Sequence, residues 1–232
     1  MAVVKRDFSE LVDYVKEEFK RDDKDDVIET SINETLEWMS QNHGFNELQA
    51  ECYVPTVVGQ EDYKLADDML EIHHPIKILE DIGDGRNSSY QMWHWTKEEY
   101  DRHQPNPNTS QTPSKAKPYA YCIWRGAILV HPIPDKATYK LEVPHQKNLT
   151  RLVADVDEHP FNPTWEELIK EGTLQRLKAK LGLLDEAHEH ALNFLYGYYN
   201  PQTGERKGGW NQMVHTDDAN SVPARTVRPR YF

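Results

Sequence analysis

The sequence predicts an α+β fold: N- and C-terminal helices forming a small helical bundle, a β-rich region inserted between them, and an extended C-terminal tail. Three observations predict it. Apolar residues recur at helical spacing near both ends of the chain. Between residues 50 and 145 the apolar pattern shifts toward period two and is broken by proline and glycine. Beyond residue 200 no period survives. The boundaries that follow are 1–48 for the first helices, 49–160 for the β-rich insertion, 161–203 for the second helices and 204–232 for the arm.

Phe8, Leu11, Val12, Val15 and Phe19 form one stripe on a first helix. Asp7 and Glu10 stand three apart at its start, where both can accept from free N–H groups. Ile28, Ile32, Leu36 and Met39 form an i, i+4 row on a second helix, with Trp38 beside it. The intervening acids Asp22, Asp23, Asp25 and Asp26 suit the positive end of that helix. As a calcium loop the run lacks the required glycine and terminal glutamate.

In the middle, Tyr53, Val54, Val57 and Val58 suggest a strand, and Met69 to Leu79 another broken at Pro75. Asp81 to Asn87 is rich in Gly and Asp/Asn and reads as a turn. Residues 103–118 hold four prolines and read as an exposed loop. Two strands turn at Arg125-Gly126, and a proline-framed turn from Pro132 leads to a strand in which Tyr139, Leu141 and Val143 alternate with polar residues.

Helix returns at Pro163. Thr164 and Glu167 have capping-box spacing, and Trp165, Leu168, Ile169, Gly172, Leu177 and Leu181 share a side. Gly172 in that stripe predicts close approach of a neighbouring helix, and Gly182 a stop. A last helix from Asp185 turns Ala187, Ala191, Phe194, Leu195 and Tyr198 inward and ends at Asn200-Pro201.

Composition bounds the function. Among 232 residues, 39 acids against 27 bases give a net charge of −12, opposite to the basic face a general nucleic-acid binder needs. A hydrophobic content of 38% with mean hydropathy −0.83 implies that much of the chain is solvated, extended, or ordered only against partner subunits. The opening residues lack a signal peptide's apolar core, and no run reaches the ~20 apolar residues of a membrane span, so the chain reads as soluble and made in the cytosol. Cys52 and Cys122 read as two reduced, packed thiols.

No catalytic, metal or cofactor site is predicted. The eleven histidines include His73-His74 and His188-Glu189-His190, but neighbours on a helix or strand do not converge on one ion. No H-E-x-x-H, G-x-S-x-G or phosphate-binding glycine loop occurs. Asp155 and Asp157 sit beside prolines and read as turn carboxylates. Trp93, Trp95, Trp124, Tyr119 and Tyr121 have few interleaved cations, which favours core or subunit packing over base stacking. The chain end carries Arg225, Arg228 and Arg230 with Tyr231 and Phe232, and no acid after Ser221. They read either as a solubilising, disordered terminus or as the candidate docking residues of an arm that orders on a partner.

Several pieces in order resemble the head-to-tail adaptor (connector) proteins of tailed bacteriophages. They are F-S-E-L-V-D-Y-V from Phe8, Y-K-L-A-D-D-M-L-E-I from Tyr63, W-T-K-E-E-Y from Trp95, W-R-G-A-I-L-V-H-P-I-P from Trp124 and P-T-W-E-E-L-I-K-E-G-T-L from Pro163. The resemblance implies a structural virion protein at the head-tail junction, not an enzyme. It implies a homo-oligomeric ring, commonly twelvefold, with portal protein above and tail tube or nozzle proteins below. DNA would pass through its centre without specific binding. A tail-completion or stopper protein of the same assembly is the nearest alternative, and a small metal-dependent hydrolase is the alternative from another class.

Overall fold

The computed structural model describes residues 5–20, 23–81, 87–103 and 114–214. In chain order the first elements are α1 (Phe8–Phe19), α2 (Asp25–Asn42), β1 (Gln49–Pro55), β2 (Asp62–Lys64), β3 (Met69–Ile72) and β4 (Lys77–Asp81). Next come β5 (Asn87–Gln91), β6 (Trp93–His94), α3 (Lys97–His103), β7 (Ala120–Trp124), β8 (Ala127–His131) and β9 (Tyr139–Lys147). Last are α4 (Glu166–Lys180), α5 (Leu184–Tyr196), β10 (Gly197–Asn200) and β11 (Glu205–Gly208). Helix and strand are thus mixed along one chain. They fall into two compact units, one made of residues up to Leu48 and from Leu149, the other of Gln49–Asn148.

In the first unit the predicted stripes become the core. Phe8, Leu11, Val12, Val15 and Phe19 of α1 and Ile28, Ile32, Leu36 and Met39 of α2 are all buried in one cluster with Leu168, Ile169, Leu174 and Leu177 of α4. The Asp7 side chain accepts from Glu10 N at 2.9 Å and the Glu10 carboxylate accepts from Asp7 N at 3.2 Å, which completes the expected box. Helix α4 is buried nearly all round, because α1, α2 and α5 each pack on it. Gly172 makes this possible: a Cβ there would stand 2.7 Å from Thr35 Cγ2 on α2 and 3.0 Å from Phe194 on α5.

Three expectations for this unit are corrected. Thr164 does not cap: Asn162 accepts from Thr164 N at 3.1 Å, and Glu167 turns away to other partners. The same T-x-x-E spacing does form a box at Thr96, whose backbone N–H donates to Glu99 Oε2 at 2.8 Å while Glu99 N donates to Thr96 Oγ1 at 3.2 Å. Proline at the first helical position and a cap one residue earlier explain why Thr164 is passed over. Second, α5 stops at Tyr196 instead of Asn200, so Tyr198 lies on β10, partly exposed, with only its hydroxyl turned back onto α4. Third, residues 197–214 are not featureless. The β10–β11 hairpin follows α5, and Trp210 enters the core within 6.0 Å of Phe194, Trp38 and Trp165 ring centres. Residues 149–160 also belong to this unit, where buried Asn33 bonds both N–H and C=O of Leu152.

The second unit holds two sheets around one core. One has the order β1-β9-β4-β5 with β3 also on β9, and the other β2-β8-β7-β6. Tyr63, Ile78, Met92, Tyr121, Ile128, Val130, Tyr139, Leu141 and Val143 come from both sheets and share a cluster. The period of two in β9 is present in Tyr139, Leu141 and Val143, yet Glu142 is buried as well, because β9 is flanked by β1 and β4 and Lys77 pairs with its carboxylate at 2.5 Å. The turn expected at 81–87 and the loop at 103–118 have residues 82–86 and 104–113 outside the described residues.

Two substitutions test this packing. Gly172→Ala should lower stability by about 1–3 kcal/mol in urea unfolding, since overpacking outweighs the ~1 kcal/mol of helix propensity gained. Thr164→Ala should be close to neutral, whereas Thr96→Ala should cost about 1 kcal/mol. Equal effects of the two threonines would contradict the caps described.

Candidate assembly surfaces

No group of three or more metal-ligating side chains occurs among the described residues. Of the histidines the sequence groups together, His74 and His190 have close partners, whereas His188 is exposed. His190 Nδ1 lies 2.8 Å from Glu171 and its Nε2 2.8 Å from Lys178 Nζ, so the ring donates to the carboxylate and accepts from the ammonium. His74 stacks on His94 at 4.2 Å and contacts the Tyr121 hydroxyl at 2.5 Å. Asp157 is the turn carboxylate the sequence suggested: it accepts from Val153 N and Ala154 N, both at 2.8 Å, and these bonds hold its pKa below the usual range. Cys52 and Cys122 are free thiols.

A polar ladder runs along α4. Buried Glu166 takes the backbone N–H of Arg6 at 2.9 Å and its guanidinium, and it faces His159 at 3.5 Å. Glu167 receives the Tyr14 hydroxyl and pairs with Lys170 at 2.8 Å. The Tyr198 hydroxyl lies 2.5 Å from a carboxylate oxygen of Glu167 and of Glu171 and shares its one proton between them, which ties β10 to α4. Burial raises the Tyr198 pKa first, and the two carboxylates raise it further, so the phenol stays a donor. Burial alone would raise Glu171, but the bonds from His190 and Tyr198 outweigh it and the net direction is down.

This frame presents aromatics outward. In the first unit, Leu183 and Leu184 are exposed at the start of α5, and Tyr196, Tyr198 and Tyr199 around its end and the hairpin after it. In the second, Trp93 is 72% exposed on edge strand β6, with exposed Tyr119 next to it through the Trp93 N to Tyr119 O bond of 2.9 Å. Trp95 is half-buried, stacked on His103 at 4.4 Å. Trp124 is exposed at the β7–β8 turn. Exposed large aromatics are enriched where one protein covers another, which makes these the candidate assembly surfaces. Trp93, Tyr119 and Trp124 stand out in the sequence, but the helical pattern read from Asp185 to Asn200 takes in the tyrosines around β10. The Y-G-Y-Y run was the available signal, since adjacent aromatics with a glycine suit a strand better than a helix terminus. Arg225, Arg228, Arg230, Tyr231 and Phe232 lie outside the described residues.

His159 gives a pH-dependent outcome. It is 1% exposed, neither ring nitrogen has a hydrogen-bond partner, and burial lowers its pKa with help from Lys5, more than Glu166 raises it. The unfolded chain therefore binds the proton more readily. Stability should be complete above about pH 6.5 and fall as the pH drops below that value. Denaturant titrations between pH 8 and 5 should show this slope, and His159→Leu should reduce it. An unchanged slope would place the titration elsewhere.

A family model described as SU10 adaptor protein matches residues 6–227 of the chain. No curated protein matches it. Among the described residues no helix is long and apolar enough to cross a membrane. With all but the extreme ends of the chain covered by the match, the chain belongs to the SU10 adaptor protein family.

Proposed function

We propose that this adaptor-family chain is the head-to-tail adaptor of a tailed bacteriophage, a structural virion protein whose copies close into a twelvefold ring beneath the portal. The family match over residues 6–227 carries this reading. The exposed aromatics of both units support it, because a ring gives each subunit two neighbours to cover them. Portal protein lies on one side of the ring and tail tube or nozzle proteins on the other. DNA passes through the centre, and a net charge of −12 per copy repels its phosphates so that it slides without specific binding.

Residues 221–232 are the proposed docking arm. Arg225, Arg228 and Arg230 supply bidentate donors for carboxylates of portal or of a neighbouring subunit, and Tyr231 and Phe232 an apolar anchor. Twelve residues can reach roughly 40 Å at ~3.3 Å each, enough to cross onto an adjacent subunit.

Negative-stain imaging of the purified chain with portal tests the ring: a closed ring on the portal's narrow end is expected, and a monomer that never joins portal overturns it. Removing residues 221–232 should leave the circular dichroism melt unchanged and abolish ring attachment. Duplex DNA should not be retained at physiological salt, and tight, steeply salt-dependent binding would contradict the channel role.

A further inference from the structure

The turn between β7 and β8 carries features that the core does not use. Trp124 and Ala127 close the hairpin, leaving Arg125 and Gly126 at its tip. Arg125 has φ 51°, a left-handed conformation that asparagine, aspartate or glycine holds with less strain. A Cβ at Gly126, φ 74°, would meet nothing within 4 Å, so the side-chain side of that residue is open. Trp124 beside it is 44% exposed, and the Arg125 guanidinium lies 5.7 Å from its ring centre. Lys97 is also near that ring, at 5.9 Å, but its charge is taken by Asp101. Arg125 has no carboxylate partner among the described residues. Leu65 N–H holds the Gly126 carbonyl at 3.0 Å, which fixes the backbone of the tip from one side. A strained arginine and a partly open indole on a fixed tip are the residue types that anchor protein interfaces.

The occupant follows from charge. An unpaired guanidinium calls for carboxylates, and this chain concentrates its own. Residues 1–48 hold 13 acids against 6 bases, net −7, while residues 49–148 hold 14 against 11, net −3. Asp13, Glu17 and Glu18 on α1 and Asp26 and Glu29 on α2 are exposed. We infer that the Trp124–Arg125 tip of one copy docks on the acidic α1–α2 surface of a second copy. Two different patches of one chain then meet head to tail, the type of contact that propagates around a ring. The inference deepens the ring proposal, although the pairwise contact is measurable without it. A nucleic-acid role for the tip is disfavoured by the net −3 of its own unit and by the neutralised Lys97.

The test uses the full chain. An equal mixture of 15N-labelled and unlabelled R125K protein, treated with a carbodiimide, should give heavy–light cross-links from position 125 to carboxylates of α1 or α2. By sedimentation velocity, Arg125→Glu should weaken self-association about tenfold, equivalent to about 1.4 kcal/mol, and E17K/E18K in the same chain should restore it. Melting curves should match wild type, since the tip is held through the Gly126 carbonyl and not through the Arg125 side chain. Cross-links only within a copy, cross-links to other elements, or no rescue would overturn the inference. Loss of duplex-DNA retention in R125E with unchanged self-association would assign the tip to nucleic acid and overturn it too. Rings on portal without these cross-links sink the tip contact and leave the adaptor assignment standing. Cross-links without rings on portal leave the contact and sink the ring.

Discussion

The helical unit depends on a side chain that is absent. At Gly172 the α4 backbone is approached by Thr35 of α2 and Phe194 of α5 at distances a methyl group would occupy. The close contact brings hydroxyls into the interior, and each is satisfied locally. Thr35 Oγ1 donates to Ser31 O at 2.8 Å, Thr173 Oγ1 donates to Ile169 O at 2.7 Å, and Arg176 reaches Gly172 O at 3.0 Å. Buried polar groups are tolerable only on such terms. Because α4 is enclosed by three helices, its charged residues cannot all reach water. Glu166, Lys170 and Glu171 are buried, and the ladder that pairs them is a consequence of the same enclosure.

Enclosure also explains why the surface is aromatic. A helix pair held by tight packing and paired charges has little freedom to rearrange around a partner, so what it offers must be rigid side chains in fixed places. Tyr198 illustrates the coupling: its hydroxyl is committed to Glu167 and Glu171 while its ring stays exposed. The hydrogen bonds that orient the ring are internal, and its apolar face is left for contact.

The helical stripes of α1 and α2 and the role of Gly172 were legible because they depend on periodicity and size alone. The α+β class followed from the change of period. What the sequence hid was decided by competition. Two T-x-x-E segments offered the same box, and Asn162 with Pro163 displaced Thr164 while nothing displaced Thr96. Trp210 was hidden differently: a lone tryptophan in a Gly-rich stretch has no period, and only tertiary packing against Trp38, Trp165 and Phe194 gives it a place. The surface was partly legible, since Trp93 and Trp124 stand out in the chain. Their exposure is set by the sheet order, which pattern alone does not reveal.

The helical unit is interrupted by a hundred residues, and its chain leaves at Leu48 and returns at Leu149. The two crossings are neighbours, since Gln49 pairs with Gln146 across β1 and β9. During synthesis, α1 and α2 emerge first with their apolar stripes formed and no α4 to cover them. At 5–20 residues per second the ribosome needs about 5–20 s to make the intervening unit. That unit has its own core, and once β1 and β9 pair, the chain's exit and its return lie side by side. A hundred-residue insertion then costs the helices little more loop-closure entropy than a short connection would, so the detour lengthens synthesis without lengthening the search.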